Sequence, residues 1–281
     1  MIIDFHTHTF PPKIAASTLE KLSAMSHTLP FTDGTPEGLR ASMGEAGVDL
    51  SVVLPVATAP RQVEHINDSS AAISENFREA GLLSFGCMHP DYEGWHEELA
   101  RIKSLGLRGI KLHPVYQGVD FYDPRTLRIL DRAGELGLIV VTHAGLDIGF
   151  PGVVRCSPEM VKNAVKQAGP VKLVLAHMGG WRCWDKVLEL LPGLPVFIDT
   201  SFSTGRRTPI DSHYSEEELQ LLDSDGFMEL VKAFGPGRVL FGSDSPWSSQ
   251  RESLRWLRVQ PLSEDELSMI TGGNAAGLLG M

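Results

Sequence analysis

The chain of 281 residues lacks the features that mark secreted and membrane-spanning proteins. Its three cysteines, Cys87, Cys156 and Cys183, are odd in number and form no Cys-x-x-Cys pair, so we expect reduced thiols and no disulfide framework. No apolar run approaches the roughly 20 residues of a membrane span. The first residues contain no basic segment followed by an apolar stretch, so we expect no signal peptide. Together these absences predict a cytoplasmic protein.

Basic residues are in the minority and form no run along the chain. There are 25 Lys and Arg residues against 35 Asp and Glu residues, which gives a net charge of −10. A surface of this sign disfavours nucleic acid and anionic membranes. The composition, with 42% hydrophobic and 21% charged residues, is that of a soluble globular protein. We therefore expect a small-molecule substrate and neither a nucleic-acid nor a membrane partner.

Short runs rich in Val, Ile and Leu alternate with segments of helical period. Most runs are nearly continuous in apolar residues, as expected for strands covered on both faces. The predicted strands are 2–8, 50–56, 83–89, 109–113, 138–143, 172–177, 196–201 and 239–244. The predicted helices are 37–46, 65–80, 94–105, 124–136, 158–168, 184–191, 227–234, 250–257 and 263–270. This alternation predicts an α/β protein, a (β/α)8 TIM barrel with a single domain over 1–281, and a doubly wound open sheet is the alternative.

Two histidines stand at the end of the first predicted strand. Because successive side chains of a strand point to opposite faces, His6 and His8 point the same way. Their Cα atoms would lie roughly 6.6 Å apart, so both rings can reach one divalent ion at about 2.0–2.1 Å. Pro11 and Pro12 then end the strand. A His-x-His pair predicts a metal site only if further ligands meet it.

Polar residues also end five of the later apolar runs. These residues are His113, His143, His177, Asp199 and Asp244. In a barrel the carboxyl ends of the strands converge on one cavity, so residues remote in sequence meet there. Three or four His and Asp ligands around one open position are typical of a catalytic metal site, and such an ion lowers the pKa of bound water to about 7.

The ordered set of these residues resembles the amidohydrolase superfamily of metal-dependent barrels. The order is His-x-His, then Lys, His, His and Asp after strands four, five, six and eight, and the resemblance extends from IDFHTHTFP to FGSDSPW and GNAAGLLG. Specifically it resembles the amidohydrolase-related branch that includes aminocarboxymuconate-semialdehyde decarboxylase. The resemblance implies that His6, His8, His143 and Asp244 hold one divalent ion, most simply zinc, with manganese as the other option. It also implies that His177 stands beside the bound water or substrate and that Asp244 moves protons. A core histidine and a helix cap are the plainer alternatives for His177 and Asp244.

The roles of Lys111 and His113 stay open. In other members of the superfamily a lysine at this strand end is carbamylated and bridges two metals. Lys111 either takes that role, or binds a substrate carboxylate in a site with one metal, or forms a structural ion pair. We favour the substrate role. His113 is either a substrate contact or a residue of the supporting loop.

Four further residues are candidates for supporting or substrate-binding roles. Asp4 shares the inward direction of His6, and a buried acid there needs hydrogen bonds, so we expect it to support the site. Asp199 either orients a ligand histidine or anchors its loop. Arg206 either clamps an anionic substrate or is a solvated loop residue. Trp247 follows a strand end and either lines the pocket or belongs to the core.

The leading functional prediction is a hydrolase that acts on a small organic acid, lactone or amide through a metal-activated water. The alternative is a metal-dependent non-oxidative decarboxylase, a carboxy-lyase of an unsaturated or aromatic acid. A barrel that binds a ligand without turnover is a third possibility, and the complete ligand set argues against it. Similar proteins suggest a carboxylate-bearing substrate and a homodimer.

Overall fold

The structure is a computed structural model that describes residues 1–281. The strands are short, and most of their residues are buried. They are β1 (Ile3–Thr7), β2 (Leu50–Val53), β3 (Leu82–Ser84), β4 (Gly86–Cys87), β5 (Gly109–Leu112), β6 (Ile139–Thr142), β7 (Leu146–Asp147), β8 (Phe150–Val154), β9 (Lys172–Leu175), β10 (Val196–Asp199) and β11 (Val239–Leu240).

Helices follow most of the strands, as the alternating sequence pattern predicts. They are α1 (Pro12–Ser26), α2 (Pro36–Ala46), α3 (Val63–Ser74), α4 (Phe77–Ala80), α5 (Trp95–Ser104), α6 (Pro114–Gln117), α7 (Pro124–Glu135), α8 (Pro158–Gln167), α9 (Trp184–Leu190), α10 (Glu216–Leu219), α11 (Ser224–Phe234), α12 (Gln250–Arg258), α13 (Glu264–Ser268) and α14 (Asn274–Leu279). No helix combines the length and the apolar composition needed to cross a membrane.

The Cα positions group into two compact units. Unit 1 comprises Met1–Val53, Arg78–Leu82 and Asp199–Met281. Unit 2 comprises Leu54–Phe77 and Leu83–Ile198. The prediction of one domain over 1–281 stays a prediction.

In unit 1, β1 lies between β2 and the segment that follows β11. It pairs in parallel with β2, where Ile3 lies opposite Leu50. On its other side, Phe5 N donates to Phe241 O at 2.8 Å, just beyond the end of β11. All five residues of β1 are buried, the polar Asp4, His6 and Thr7 together with the apolar Ile3 and Phe5. This buried strand places His6 inside unit 1.

In unit 2, five strands form a parallel sheet in the order β4-β5-β6-β9-β10. The register pairs Lys111 of β5 with Cys87 of β4 and Val141 of β6. Every residue of β5 and β6 is buried. The carboxyl ends of these parallel strands lie at the same edge of the sheet, so His113, the N-cap of α6, and His143, which directly follows β6, both lie there.

Helix boundaries follow the local sequence signals. Thr35, Ser157 and Ser249 each precede a helix and accept a backbone N–H of its first turn through the side-chain oxygen. Ser263 and Glu266 form a reciprocal capping box at α13, as the Ser-Glu-Asp-Glu sequence predicts. These caps satisfy N–H groups that have no partner within the helix.

The structure corrects three details of the predicted elements. The segment 9–35 is not an open connection, because α1 occupies most of it and begins at Pro12, which is suited to a first turn. The connection after β6 contains an antiparallel hairpin, β7 and β8. The strands also stop earlier than predicted: β9 ends two residues before His177 and β11 four residues before Asp244. Both of these residues have left-handed backbones, φ 62° and 68°, which cannot continue a strand.

Candidate metal centre

Three side chains in unit 1 converge at the carboxyl end of β1, and we name His6, His8 and Asp244 the unit 1 cluster. Asp244 Oδ1 lies 3.4 Å from His6 Nε2 and 3.2 Å from His8 Nε2. The two imidazole rings are inclined by 72° with 5.1 Å between their centroids. The His6 side chain is fully buried, whereas 17% of the His8 side chain is exposed. The cluster is therefore closed on the His6 side and accessible at His8.

A buried aspartate fixes the tautomer of His6. His6 Nδ1–H donates to Asp199 Oδ2 at 2.8 Å. The backbone N–H and the hydroxyl of Ser201 both donate to the other oxygen, Asp199 Oδ1. With its proton on Nδ1, a neutral His6 carries its lone pair on Nε2. That lone pair faces Asp244 Oδ1, and two acceptors at such a separation repel each other unless a cation lies between them.

The unit 1 cluster fits a divalent transition-metal ion. Ligand atoms at about 2.0–2.1 Å from a tetrahedral ion lie about 3.3 Å from one another. The two measured separations between Asp244 Oδ1 and the Nε2 atoms, 3.4 and 3.2 Å, match this value. Two imidazoles and a carboxylate are also ligands that zinc and manganese accept. His6, His8 and Asp244 would therefore hold such an ion with little rearrangement.

The backbone around Asp244 is held from β1. Asp244 N donates to His6 O at 2.8 Å, and His8 N donates to Ser245 O at 2.7 Å. A φ of 68° is uncommon for a residue other than glycine, so these bonds hold Asp244 in an unfavourable conformation. Helix α12 has Ser249 as its N-cap, so Asp244 is not a helix cap.

Asp4 connects β1 to the segment that carries Asp244. This fully buried carboxylate accepts hydrogen bonds from Ser243 N at 2.9 Å, Ser243 Oγ at 2.5 Å, Gln250 Nε2 at 2.8 Å and His6 N at 3.2 Å. Burial raises the pKa of Asp4 to about 6, although the hydrogen bonds from Ser243 and Gln250 act in the opposite direction. Asp4 thus holds Ser243 beside His6.

Unit 2 contains a second group of the same residue types, and we name His113, His143 and Asp147 the unit 2 cluster. Asp147 Oδ2 lies 3.5 Å from His113 Nε2 and 3.7 Å from His143 Nε2. The two imidazole rings are stacked nearly parallel, at 12° and 4.3 Å between centroids. Because ring lone pairs lie in the ring planes, those of stacked rings run side by side and do not converge on one atom at about 2 Å.

His143 has hydrogen bonds at both ring nitrogens. Its Nε2 lies 3.0 Å from Leu146 O, and its Nδ1 lies 3.0 Å from His177 Nε2. A carbonyl oxygen only accepts, so His143 carries a proton on Nε2. Nδ1 is then the nitrogen of neutral His143 that bears the lone pair, and it accepts from His177 Nε2–H.

A family model described as amidohydrolase matches residues 3–281. The chain belongs to the amidohydrolase family. The matched region includes every residue of both clusters. A search of curated protein sequences finds no match.

Solved structures share the fold of this amidohydrolase at low sequence identity. An uncharacterized TIM-barrel protein from Bordetella bronchiseptica is 17% identical with a TM-score of 0.76, covering 99% of this chain and 98% of that chain. 5-Carboxyvanillate decarboxylase from Sphingomonas paucimobilis is 18% identical with a TM-score of 0.65, covering 100% and 99%. A Pseudomonas putida protein assigned as a 2-pyrone-4,6-dicarboxylic acid hydrolase is 18% identical with a TM-score of 0.66, covering 99% and 97%. These likenesses confirm the predicted (β/α)8 TIM-barrel fold class.

The four predicted substrate-binding residues of this amidohydrolase fall into two pairs. Lys111 and His113 belong to unit 2, where Lys111 is buried within β5 and His113 directly follows it. Arg206 and Trp247 belong to unit 1 and line a common cavity. The guanidinium of Arg206 is exposed and pairs with both carboxylate oxygens of Glu216, at 2.9 and 3.1 Å.

Sequence reasoning missed several supporting residues of this amidohydrolase. Ser201, Ser243 and Gln250 bond to Asp199 or Asp4 but carry no motif of their own. The spacing Asp-Thr-Ser was a usable signal for Ser201, because an aspartate often accepts the backbone N–H two residues further on. Asp147 was missed because it lies on the unpredicted hairpin β7–β8.

Proposed function

We propose that this amidohydrolase is a metal-dependent hydrolase of a small organic acid, lactone or amide. The observation that carries the proposal is the convergence of His6 Nε2, His8 Nε2 and Asp244 Oδ1 at separations that suit one divalent ion. A bound divalent ion supplies Lewis acidity and lowers the pKa of coordinated water to about 7. Zinc is the first choice of ion and manganese the second.

We propose different roles for the residues of the unit 1 cluster. His6, oriented by Asp199, and His8 would provide neutral nitrogen ligands, so the site would keep a net positive charge with a divalent ion bound. Asp244 Oδ1 faces both imidazoles, and we infer that Asp244 Oδ2 receives the proton from water and returns it to the leaving group. The small exposure of His8 provides access for water and substrate.

The roles that the sequence assigns to residues of unit 2 stay predictions. His143 as a further ligand, His177 as the group that steadies the developing oxyanion, and Lys111 as the cation for a substrate carboxylate rest on the resemblance to the family. The His143 Nδ1 lone pair accepts a hydrogen bond from His177 Nε2–H, so an ion at this nitrogen would have to displace His177.

Decarboxylation is the second candidate function. It is supported by the likeness in fold to 5-carboxyvanillate decarboxylase, whereas hydrolysis is supported by the family and by the likeness to the assigned pyrone dicarboxylic acid hydrolase. A carboxylate-bearing substrate would fit both reactions, and the unit 1 cluster suits either. A cytoplasmic location stays a prediction that rests on the three free cysteines.

Isotope labelling during a substrate screen tests both functions. The metal-loaded protein is incubated with lactones, amides and unsaturated or aromatic acids in H2¹⁸O and, separately, in D2O. Hydrolysis places one ¹⁸O in the product, whereas decarboxylation releases carbon dioxide and places deuterium on carbon. Metal analysis of the same protein should find about one ion per chain. A protein that binds no divalent ion and turns over the same substrates would refute both candidates.

A further inference from the structure

A cavity of about 590 Å³ lies in unit 1 beside α12. Its walls are formed by Phe31, by residues 204–208 and by the side of α12 with the segment just before it, and we name it the α12 cavity. None of His6, His8 and Asp244 lines it, so it is distinct from the unit 1 cluster. Its volume falls within the range of roughly 300–1,000 Å³ that is typical of small-molecule sites.

The charge of the α12 cavity is opposite to that of the protein. Three arginines, Arg206, Arg207 and Arg255, line it against one acidic residue, Glu252, although the chain carries a net charge of −10. The Arg255 side chain is exposed on α12. A local excess of guanidinium groups on an acidic protein favours an anionic occupant.

Arg206 shows how the cavity can hold a carboxylate. One of its terminal nitrogens contacts both oxygens of Glu216, at 2.9 and 3.1 Å. The Glu216 side chain is 81% exposed, and exposed ion pairs contribute little to stability. A ligand carboxylate can therefore replace Glu216 at Arg206 at small cost.

Aromatic rings make the α12 cavity suited to a flat molecule. Trp256 is fixed by an edge-to-face contact with Phe227, at 5.2 Å between ring centroids. Gly205 approaches its indole so closely that an added Cβ would lie 3.3 Å from Cδ1, and its φ of 74° also favours glycine. Trp247 and the exposed ring of Phe31 complete the aromatic surface. Such rings stack on planar unsaturated groups.

We propose that the α12 cavity binds a small planar organic anion, an aromatic carboxylate, independently of the metal centre. The arginines select the negative charge, and the tryptophans select the flat body. Hydroxyl groups of Ser248, Ser249 and Ser253 in the lining supply further hydrogen-bond donors. This proposal does not rest on the proposed reaction, because none of the metal-binding side chains takes part.

The test uses the full chain after treatment with a chelator, at low ionic strength, with isophthalate as the probe. Isothermal titration and tryptophan fluorescence should show saturable binding of one isophthalate per chain. Arg255→Gln should weaken the binding at least about tenfold because a charge-assisted hydrogen bond is lost, and Trp256→Leu should weaken it by a similar factor because a stacking surface is lost. The exposed position of Arg255 lets its variant keep the fold, whereas Trp256→Leu is checked by circular dichroism.

Three controls decide the outcome. Arg258→Gln removes an exposed arginine of α12 that does not line the cavity, and His8→Ala alters the metal centre, so both should leave isophthalate binding unchanged. Cyclohexane-1,3-dicarboxylate carries the same charges without planarity and should bind at least about tenfold more weakly. The proposal is wrong if isophthalate shows no saturation below about 10 mM. It is also wrong if Arg258→Gln or His8→Ala weakens binding as much as Arg255→Gln does, or if the two dicarboxylates bind equally well.

Discussion

The two units of this amidohydrolase each contain a cluster of two histidines and one aspartate, yet the two clusters are built differently. In the unit 1 cluster the rings of His6 and His8 are steeply inclined, and both Nε2 atoms approach one oxygen of Asp244. In the unit 2 cluster the rings of His113 and His143 are stacked. Two clusters with the same residue types therefore differ as metal sites, because the directions of the imidazole lone pairs decide whether both rings can bind one ion.

Hydrogen bonding increases the difference between the clusters. Asp199 accepts the hydrogen bond from His6 Nδ1–H and leaves Nε2 as an acceptor that faces another acceptor. His143 instead has internal partners at both nitrogens, Leu146 O and His177 Nε2. A cation would thus stabilise the unit 1 cluster, whereas the histidines of the unit 2 cluster have hydrogen-bond partners within the chain.

The strongest test of this comparison is the same substitution in each cluster. Asp244→Asn should lose the bound ion and lower activity on the order of 10³-fold or more, because a charged ligand and the proposed proton acceptor are removed. Asp147→Asn should keep about one ion per chain. Mass spectrometry of the metal content after dialysis measures both. Loss of the ion from Asp147→Asn alone would reverse the assignment of the two clusters.

A second comparison separates the two histidines of the unit 2 cluster. The family resemblance predicts His143 as a ligand, so His143→Ala should weaken metal binding at least about 100-fold. His113→Ala should change the affinity by less than a factor of about three, because stacked rings cannot serve one ion together. Competition with a fluorescent zinc chelator gives both affinities. Equal losses in the two variants would show that the unit 2 cluster binds an ion as a set.

A third experiment tests the support of His6 by Asp199. Asp199→Asn should weaken metal affinity by about 10- to 100-fold, because the amide no longer holds the Nδ1 proton of His6 as a carboxylate does. Asp211→Asn is the matched control, since Asp211 Oδ2 accepts from His27 Nδ1 at the same 2.8 Å on the surface. The control should leave metal affinity unchanged, and an equal effect in both variants would assign the loss to general destabilisation.

The smallest effect is expected for the buried carboxylate of unit 1. Asp4→Asn replaces an acceptor by an amide group that faces donors on Ser243 and Gln250, so it should lower the free energy of unfolding by about 2 kcal/mol. Asp33→Asn, in an exposed turn, should change it by less than about 0.5 kcal/mol. Urea unfolding of the metal-free proteins at pH 7 measures both. If Asp4→Asn and the unaltered protein have the same free energy of unfolding, the supporting role assigned to Asp4 is wrong.

The sequence predicts all three members of the unit 1 cluster because each stands in a recognisable local sequence pattern. His6 and His8 share the period of a strand, and Asp244 follows an apolar run. The contact between Asp199 and His6 spans 193 positions and has no such signal, so only the folded chain reveals it. The two interpretations of Asp199 were equally open for this reason.

The misplaced elements have local causes. Pro11 and Pro12 predict the end of β1, but a proline in the first turn also begins a helix, and α1 starts at Pro12. The end of the eighth strand was placed too late because the sequence Gly-Ser-Asp continues an apolar run. A left-handed residue such as Asp244 cannot be recognised when it is not glycine.

The positive φ of Asp244 has a consequence for anyone who tries to make this protein more heat-resistant. Positions with such backbones are usual targets for glycine, which relieves the conformational cost and raises the melting temperature. At Asp244 the same exchange would discard a carboxylate, so a screen that scores thermal survival alone would select inactive protein. Selection for heat resistance should therefore retain metal content as a second criterion.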